Sequence, residues 1–544
     1  MMHRNKSVSQ HQFAMVPRAD IPRASFKMQK AYKTTFDSGY LVPVFCEEIL
    51  PGDSFKVKMT AFARLATPIY PLMDNLHLDS FFFFVPNRLV WSNWKKFMGE
   101  QANPADSISY VVPLCQSNAG GFAVGSLMDY FGLPTVGQVN GASIVQVNAM
   151  PLRGYNLIFN EWFRDENLIN SVSVPLGDAT DTVAPYNLLR RGKRHDYFTS
   201  CLPWPQKGGT SVTIPLGTSA VVKTSASNTF TGAQAPLNML TSTGAAPNAA
   251  QAVGFNGSAN MITGTTALAG NTGAVYPSNL YADLSNATAA TINQLRQSFQ
   301  IQKLLERDAR GGTRYTEIVR SHFGVISPDA RLQRPEYLGG GSSPVILNPV
   351  AQTSGTGITG GTTPIATLSA VGTMLAHGHG FSQSFTEHGY VIGIVNVRAD
   401  LTYQQGLRKM WSRSTRYDFY FPAFAHLGEQ AVLNREIYCT GTATDANVFG
   451  YQERWAEYRY SPSEVTGLFR STSAGTLDGW HLAQKFTALP VLGQTFIEEN
   501  PPLSRVLAVG AAANGAQLIF DSVFDMHVAR PMPLYSVPGL IDHF

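Results

Sequence analysis

Two kinds of apolar pattern occur along the chain, and they predict two kinds of β-strand. In residues 54–63, SFKVKMTAFA, an apolar set alternates with a polar one. The apolar set is Phe55, Val57, Met59 and Ala61, and the polar set is Lys56, Lys58 and Thr60. Alternation with a period of two is typical of a strand that has one face buried and the other in water. The segment VFDMHVA, residues 523–529, repeats this pattern with Asp525 and His527 on the polar side. Both segments are therefore predicted to be half-buried strands.

The run Phe81–Val85 contains no polar position at all, and it ends at Pro86. It is too short for a membrane-spanning helix, which needs about twenty apolar residues. Five bulky residues in a row instead predict a strand that is covered on both faces. We expect one face to pack inside a sandwich and the other to lie under an insertion. A helix that begins near Val90, after a cap at Asn87, is the candidate cover.

Other segments predict a few helices and many more strands. Apolar side chains recur at helical spacing over residues 151–163 and 293–312. Strand-like runs occur at residues 390–399, 416–421 and 505–509. Many short strands that are separated by Pro and Gly, with few helices between them, predict a sandwich or a barrel rather than a parallel sheet.

The composition suggests a chain that buries much of its exterior against other protein. Charged residues make up 14% of the 544 residues, against about 25% in typical soluble domains. Two segments contain an even smaller share of charged residues. Lys223 is the single charged residue between Lys207 and Asp283, and there is none between Glu336 and Glu387. Such segments are either disordered linkers or β-rich excursions held by neighbouring copies, and their low charge favours excursions.

Positive charge is concentrated in two places, and both are candidates for contact with nucleic acid. Residues 1–33 carry one acid, Asp20, and are expected to form an unpacked arm. The bases of this arm are Arg4, Lys6, Arg18, Arg23, Lys27, Lys30 and Lys33. The second basic island is RRGKRH, with Arg190, Arg191, Lys193 and Arg194.

The aromatic residues of the arm strengthen the case for a single-stranded partner. Phe13, Phe26 and Tyr32 lie among its bases, and a single strand is bound by cations at the phosphates and by rings that stack on the bases. Two alternatives stay open. The arm can be a solvated tail, and either basic island can form ion pairs with carboxylates of a neighbouring subunit.

The sequence offers little catalytic or metal-binding chemistry. The segment GGGSSP, residues 339–344, lacks the Lys of a phosphate-binding loop. His377 and His379 form an HxH pair, which is a weak metal signal, and a plain loop is expected there. Glu498 and Glu499 are adjacent and point to opposite sides of an extended chain, so surface carboxylates are expected. We therefore expect no enzymatic activity, no metal and no cofactor.

The four cysteines, Cys46, Cys115, Cys201 and Cys439, lie far apart and form no CxxC pair. This spacing argues against a disulfide framework and fits a reducing compartment. The first thirty residues contain no apolar segment of the kind that directs secretion. Neither secretion nor membrane insertion is expected.

Long segments rich in aromatic residues extend from about residue 34 to the C-terminus. They are TPIYPLMDNLHLDSFFFFVPNRLVW, DYFTSCLPWPQKG, QIQKLLERDARGGTRYTEIVRSHFGV, FTEHGYVIGIVNVRADLTYQQGL, WAEYRYSPSEVTGLFRS and HVARPMPLYSVPGLIDHF. Together they resemble the major capsid protein of the microviruses, specifically of the gokushovirus group that infects bacteria. The two charge-poor segments do not share in the resemblance.

The resemblance implies an eight-stranded viral jelly roll, which is an antiparallel β-sandwich, with large loop and helical insertions. It implies sixty copies in a T=1 icosahedral shell, assembled in the bacterial host cytoplasm around a circular single-stranded DNA genome with other viral structural proteins. Residues 1–40 would be the basic arm and residues 41–544 the jelly-roll domain. Within that domain, residues 208–282 would form a protrusion at the three-fold axes, where three copies contact one another. Contact with a host receptor is the usual proposal for this protrusion. Residues 338–386 would form a charge-poor loop.

A glycan-binding or hydrolytic β-sandwich protein is the alternative. Either kind would form only small oligomers. A lectin needs a defined sugar pocket, and a hydrolase needs two carboxylates that converge in a cleft from distant parts of the chain.

Overall fold

The computed structural model describes residues 22–205, 207, 221–224, 239–241, 253–255, 261–263, 275–277, 280–283, 292–326, 333–353, 365–508 and 515–535. In chain order its strands are β1 (Ala24–Phe36), β2 (Val42–Ile49), β3 (Ser54–Leu65), β4 (Leu76–Pro86), β5 (Leu114–Gln116), β6 (Gln146–Asn148), β7 (Asp181–Thr182), β8 (Val221–Thr224), β9 (Met239–Thr241), β10 (Val253–Phe255), β11 (Met261–Thr263), β12 (Val275–Pro277), β13 (Leu280–Asp283), β14 (Glu336–Pro344), β15 (Ile346–Ala351), β16 (Leu368–Ser384), β17 (Gly389–Ala399), β18 (Glu429–Leu433), β19 (Val448–Glu453) and β20 (Leu518–Arg530).

The helices are short, apart from one of twenty residues. They are α1 (Asn87–Val90), α2 (Trp94–Phe97), α3 (Leu127–Tyr130), α4 (Met150–Ile158), α5 (Ile292–Gly311), α6 (Tyr315–Phe323), α7 (Asn434–Ile437), α8 (Gln494–Ile497) and α9 (Leu503–Val506). A π-helical turn, Phe159–Phe163, continues α4. Single 3₁₀ turns occur at Lys409–Ser412, Arg416–Asp418, Pro422–Phe424, Ala443–Ala446, Ala456–Tyr458, Gly467–Phe469 and Asp478–Trp480.

Two antiparallel sheets form a sandwich with the topology of a jelly roll. One sheet has the order β1-β20-β3-β16-β15, and the other has the order β14-β4-β17-β2. Counted along the chain, the eight long strands give the orders 1-8-3-6 and 2-7-4-5, with β15 added at one edge. Consecutive long strands therefore fall in opposite sheets, except β4 and β14, which are neighbours in one sheet; this is the double Greek key of a jelly roll. The predicted β-sandwich is confirmed, and neither sheet closes into a barrel.

Strand β4 explains the uninterrupted run of phenylalanines. Phe82 and Phe84 point into the core between the two sheets, whereas Phe83 and Val85 belong to a second apolar cluster outside the four-stranded sheet. Both faces of β4 are covered, as predicted. Phe81 is only partly buried on the outer side.

The cover over the outer face of β4 comes from α4 and its π-helical extension. The ring of Phe83 lies 5.5 Å from that of Trp162 and 5.9 Å from that of Phe163, centroid to centroid. Gly154 lets α4 approach the sheet closely, because a Cβ at that position would lie 3.2 Å from the Cδ1 atom of Ile392. The helix predicted over residues 151–163 is thus confirmed, and it is the main cover.

The cover predicted from Val90 is wrong in detail. Residues 87–97 form two single turns, α1 and α2, that are interrupted by an extended Trp91. Asn87 is the first residue of α1 rather than its cap, and the preceding Pro86 makes no side-chain cap hydrogen bond. Short turns that alternate with extended residues can produce the same apolar spacing as one helix.

The half-buried strands are confirmed where the alternation is regular. In β3 the burial alternates along its whole length, and Phe55, Val57 and Met59 are in the core. In β20 the same is true of Phe524 and Met526.

Three sequence predictions of local structure are wrong. Residues 416–421 form a 3₁₀ turn and extended chain rather than a strand, and residues 505–508 form the end of α9 and a bend. The described part of residues 338–386 is not a plain loop, because β14 and β16 cross it, one in each sheet, with β15 between them. Most of β14 and β15 is partly or fully exposed, so burial does not account for the lack of charge there.

The basic arm is also different from the prediction. From Ala24 to Phe36 the chain forms β1, which pairs in register with β20 along its whole length. This part of residues 1–40 is an edge strand of the five-stranded sheet rather than an unpacked arm. Residues 1–21 lie outside the described residues.

The chain divides into two compact units. One consists of Met1–Pro205 with Gly311–Phe544 and contains the sandwich, and the other is Gln206–Arg310. In the second unit the described residues form the two-stranded pairs β8–β13, β9–β12 and β10–β11, together with most of α5. The helix predicted over residues 293–312 is confirmed as α5. Most of residues 208–282 lie outside the described residues, so their role as a protrusion stays a prediction.

Candidate nucleic-acid interface

The outer face of the five-stranded sheet carries an excess of positive charge. Every second residue of its strands points outward, because the residues between them pack in the core. The outward bases are Lys27, Lys33, Lys56, Lys58 and Arg64, with His377 and His527 beside them. The outward acids of β1, β3, β16 and β20 are Asp521 and Asp525. We call this surface the basic sheet face.

Strand register places three of these side chains in one row. Lys27 is paired with His527, and His527 is paired with Lys56 on the next strand. Opposed side chains on antiparallel strands have Cβ atoms about 5 Å apart, and like charges at that distance destabilise a sheet. Neither lysine has an ion-pair partner among the described residues. Two lysines without carboxylate partners, one on each side of His527, are suited to an external polyanion.

The two acids of this face are already engaged. The carboxylate of Asp521 lies 2.7 Å from the Nζ atom of Lys33. The carboxylate of Asp525 lies 3.9 Å from the Nε2 atom of His527 and is paired across the sheet with Lys58. The remaining bases keep the face positive.

Apolar side chains lie beside the cations. Phe62 is 51% exposed on the outer side of β3, and it is opposite Leu375 on one neighbouring strand and Asp521 on the other. An exposed ring among lysines can stack on an unpaired base. The sheet thus offers both elements of single-strand recognition.

The predicted arm residues divide between two environments. Lys27 and Lys33 point outward from β1, whereas Lys30 points inward, with its Nζ atom 3.0 Å from the carboxylate of Glu47. The guanidinium of Arg23 donates to the Oγ atom of Ser54 at 2.9 Å. Arg4, Lys6 and Arg18 lie outside the described residues.

Two of the three rings predicted to stack on bases face the inner side of β1. Tyr32 packs against the sandwich core, and its hydroxyl donates to the carbonyl of Tyr130 at 2.8 Å. Phe26 is on the same, inward side of β1, and Phe13 lies outside the described residues. Phe62 is the ring that the sheet presents instead.

Carboxylates from other parts of the same chain form ion pairs with the island RRGKRH. Arg191 and Arg398 share the buried carboxylate of Asp79, at 2.5 and 2.9 Å. Arg194 contacts Asp400 at 3.1 Å. Arg191 and Arg194 therefore form ion pairs within the chain, and pairing with carboxylates of a neighbouring subunit stays a prediction.

The other two bases of the island contact residues on either side of α8. Arg190 donates to the carbonyl of Glu499 at 2.9 Å, and its guanidinium lies 4.0 Å from the centre of the Tyr40 ring. Lys193 donates to Gln484 at 2.9 Å, and burial lowers its pKa to about 8. Burial also raises the pKa of Glu499 to about 7. The expectation that Glu499 is a surface carboxylate is wrong.

The structure does not bring the two basic regions together. The guanidinium of Arg191 lies 4.8 Å from the centre of the Phe81 ring, on the outer side of the four-stranded sheet. The island lines a cavity of about 640 Å³ there, with Phe83 and Trp162 on the other wall. The basic sheet face is on the opposite side of the sandwich, so one layer of nucleic acid cannot contact both.

His377 and His379 lie in strand β16 rather than in a plain loop. A bulge at Gly378, with φ of 76°, turns the two imidazoles to opposite faces, so His377 is exposed and His379 is buried. The Nδ1 and Nε2 atoms of His379 lie 2.8 Å from Ser80 Oγ and 3.0 Å from Ser343 Oγ. In the described part of the chain, no group of three His, Cys, Asp or Glu side chains is placed to hold a metal.

Sequence reasoning missed four residues of the basic sheet face: Lys56, Lys58, Arg64 and His527. Their signal was present, because the alternation in β3 and β20 assigns them to the outward side. What could not be seen was that β1, β20 and β3 are neighbours, since their residues are up to 506 positions apart.

No helix in the described ranges has the length and apolarity needed to cross a membrane. The order of its strands defines the class of the chain. It is a jelly roll, the fold of viral capsid domains and of some lectin domains.

Comparison with known proteins agrees with this class. The family model of the capsid protein (F protein) matches residues 14–540. The capsid protein VP1 of Bdellovibrio phage phiMH2K is 50% identical, over 98% of this chain and 99% of its own length. The VP1 proteins of Chlamydia phage 1 and Spiroplasma virus 4 are 43% and 37% identical, over at least 97% of both chains in each case. The chain belongs to the capsid protein (F protein) family of the microviruses, within the gokushovirus group.

Proposed function

We propose that the chain is a non-catalytic subunit of a T=1 icosahedral shell, in which sixty copies enclose a circular single-stranded DNA genome. Membership of a capsid family supports a structural role in a multi-copy shell. In this proposal the shell forms in the cytoplasm of the bacterial host together with other viral structural proteins.

The basic sheet face is the surface that faces the genome in this proposal. The row Lys27, His527 and Lys56 supports it best, because neither lysine has an ion-pair partner among the described residues and an anion over the row would pair with both. The phosphates of a DNA strand supply such anions at regular spacing. The bases Arg4, Lys6 and Arg18 would extend the same contact.

We further propose that residues 208–282 form a protrusion at the three-fold axes, with trimer contacts and a host surface receptor as its partners. Two observations support this role. Residues 206–310 form a compact unit distinct from the sandwich, and Lys223 is the single charged residue among positions 208–282.

The salt dependence of DNA binding tests the role of the basic sheet face. Five outward bases allow a slope of at most about −3.5 in a plot of log affinity against log salt, since each phosphate contact with a single strand contributes about 0.7. The double variant Lys56→Gln/Lys58→Gln is expected to make the slope shallower by up to about 1.4. Binding of a fluorescent oligodeoxythymidine to the purified subunit, titrated from low to moderate salt, measures both slopes.

The matched control is Lys95→Gln/Lys96→Gln, which removes two exposed lysines of α2 on the far side of the four-stranded sheet. It is expected to leave the slope unchanged. Equal slopes for the wild-type chain and the β3 variant would reject the sheet face as the genome contact.

Negative-stain microscopy separates a shell subunit from the alternative β-sandwich proteins. Uniform closed particles are expected from the purified chain. A discrete dimer or trimer that binds sugars would support a lectin and would contradict the shell.

A further inference from the structure

A contiguous group of aromatic side chains is exposed on the sandwich unit, away from the residues discussed above. It consists of Trp411, Tyr417, Phe419, Tyr420, Phe421 and Tyr458, which we name the aromatic patch. Their exposed fractions range from 36% to 69%, with Trp411 and Tyr417 the most exposed. The patch borders a groove of about 810 Å³ that Trp411 and Tyr458 line together.

Several rings of the patch are linked through contacts with each other or with a shared neighbour. Tyr417 and Phe421 both pack against Phe424, at 6.3 and 6.1 Å between ring centroids. The rings of Tyr420 and Tyr458 lie 6.2 Å apart, centroid to centroid. The guanidinium of Arg413 lies 4.3 Å from the centre of the Tyr458 ring and 5.6 Å from that of Phe419. Such cation–π contacts fix the rings without covering their outer edges.

The backbone beneath the patch is also fixed. Asp418 and Thr415 form a reciprocal capping box, in which the Thr415 amide donates to the Asp418 carboxylate at 2.7 Å. These hydrogen bonds lower the pKa of Asp418 to about 2. The indole of Trp455 donates to the carbonyl of Phe424 at 2.9 Å. A surface that is ordered before it meets a partner loses little conformational entropy on binding.

The charges around the patch favour protein over nucleic acid as the partner. Arg413 contacts Glu457 at 3.2 Å, and Arg408 contacts Glu464 at 2.9 Å. These two guanidinium groups are paired within the chain, whereas that of Arg416 lies 5.3 Å from the centre of the Phe421 ring with no carboxylate partner among the described residues. Aromatic residues and arginine are the residues enriched in protein interfaces.

The size of the patch fits an interface between subunits. Six rings of roughly 200 Å² each, about half exposed, present on the order of 600 Å² of aromatic surface. A standard interface buries about 800 Å² on each partner, so the patch accounts for most of one side. A chain of a multi-copy capsid family meets other copies of itself more often than any other partner.

We propose that the aromatic patch is a subunit–subunit contact whose partner is a second copy of this chain. This inference rests on the proposed shell function. In it, Trp411 and Tyr417 are the anchors that a neighbouring copy covers.

The test compares assembly of the wild-type chain with that of Trp411→Ser/Tyr417→Ser. Analytical ultracentrifugation and negative-stain microscopy over a concentration series give the concentration at which shells appear. Because truncation of a central interface anchor weakens each contact more than tenfold, that concentration is expected to rise about tenfold or more. The control is Val111→Ser/Val124→Ser, which removes two exposed apolar side chains outside the patch and outside the basic sheet face, and it is expected to assemble as the wild type does.

Folding of the variant is checked by circular dichroism, and a second measurement needs no substitution at all. Amide hydrogen exchange of the wild-type chain is expected to slow at residues 409–424 when subunits become shells. No slowing there, or an unchanged assembly concentration for the patch variant, would overturn the assignment. Equal failure of the patch variant and the control would overturn it too, because the effect would not be specific to the patch.

The shell and the patch can fail separately. If the wild-type chain forms only a small oligomer, the shell proposal is rejected. The patch is then supported if Trp411→Ser/Tyr417→Ser converts that oligomer to monomer, and it is rejected if the oligomer persists.

Discussion

The two sheets of the sandwich share one core, but their outer faces differ. Outside the four-stranded sheet, Phe83 is 1% exposed beneath α4 and its π-helical extension. Outside the five-stranded sheet, Phe62 is 51% exposed among lysines. The insertions between strands cover one face, and the described residues leave the other open.

This difference separates a surface that is held within the subunit from one that is available to other molecules. The covered face gains its stability from within the subunit, through burial of rings and through ion pairs. The open face gains little from the rest of the chain, because its side chains are half in water and its cations oppose one another. Substitutions on the two faces should therefore affect different properties of the protein.

The largest effect is expected from Phe83→Ala. The change leaves a cavity beneath Trp162 and Phe163 and should lower the free energy of unfolding by about 3–5 kcal/mol. Phe62→Ala is the matched change on the open face and should lower it by less than about 1 kcal/mol. Guanidinium denaturation of the two purified variants measures both values. Equal losses would mean that the two outer faces are equally buried, contrary to the comparison.

A somewhat smaller loss is expected from Asp181→Asn within the covering layer. Asp181 holds the fully buried guanidinium of Arg153 with two hydrogen bonds of 2.7 and 2.9 Å. Arg153 also donates to the carbonyls of Val90 and Gly177, so this ion pair ties three segments of the cover together. Removing one charge of a buried pair should cost about 3 kcal/mol.

The control for Asp181 is Asp521→Asn on the open face, whose ion pair with Lys33 is exposed. Its loss should be below about 1 kcal/mol. If Asp181→Asn proves as mild as this control, the covering layer is not held by the Arg153 pair.

The same contrast explains which features of the fold could be predicted from the sequence. Regular alternation in β3 and β20 and the unbroken run in β4 each report which faces of a strand are buried, because side-chain direction alternates along a strand. Those predictions are confirmed. Residues 416–421 are rich in aromatic side chains for another reason, since four of them belong to the exposed aromatic patch. Apolar content alone could not distinguish a buried strand from such a surface segment.

The candidate site was predictable only in part. Lys27 and Lys33 were recognised as bases of the N-terminal segment, but the row with His527 and Lys56 depends on the pairing of strands from both ends of the chain. RRGKRH was recognised as basic, but its carboxylate partners, Asp79 and Asp400, are distant in sequence. Clusters of charge in a sequence do not report whether the fold supplies counterions.

A pH-dependent effect of intermediate size is expected at the contact between the sheets. Burial lowers the pKa of His379, whose imidazole lies between Ser80 and Ser343. A histidine with a lowered folded pKa stabilises the fold above its unfolded pKa of about 6.5, and this contribution is lost as the pH falls through the folded pKa. Stability should therefore fall on acidification, by up to about 1.4 kcal/mol per pH unit for this one proton.

The variant His379→Gln should remove this part of the dependence of stability on pH. Denaturation midpoints of the variant and the wild type, measured from about pH 7 to about pH 5, give the difference. His377→Gln removes the exposed imidazole of the same strand and should leave the slope as in the wild type. A slope that His379→Gln does not change would assign the acid sensitivity to other groups.

The smallest effect is expected from Lys56→Gln on the open face. Removing one cation from the row should change the free energy of unfolding by no more than about 0.5 kcal/mol. The sign should be a gain when His527 is charged, because Lys56 lies opposite it and has no ion-pair partner among the described residues. In about 1 M salt the gain should vanish, since screening then acts over roughly 3 Å. A loss of more than about 1 kcal/mol would mean that Lys56 stabilises the subunit itself, and the open face would then no longer contrast with the covered one.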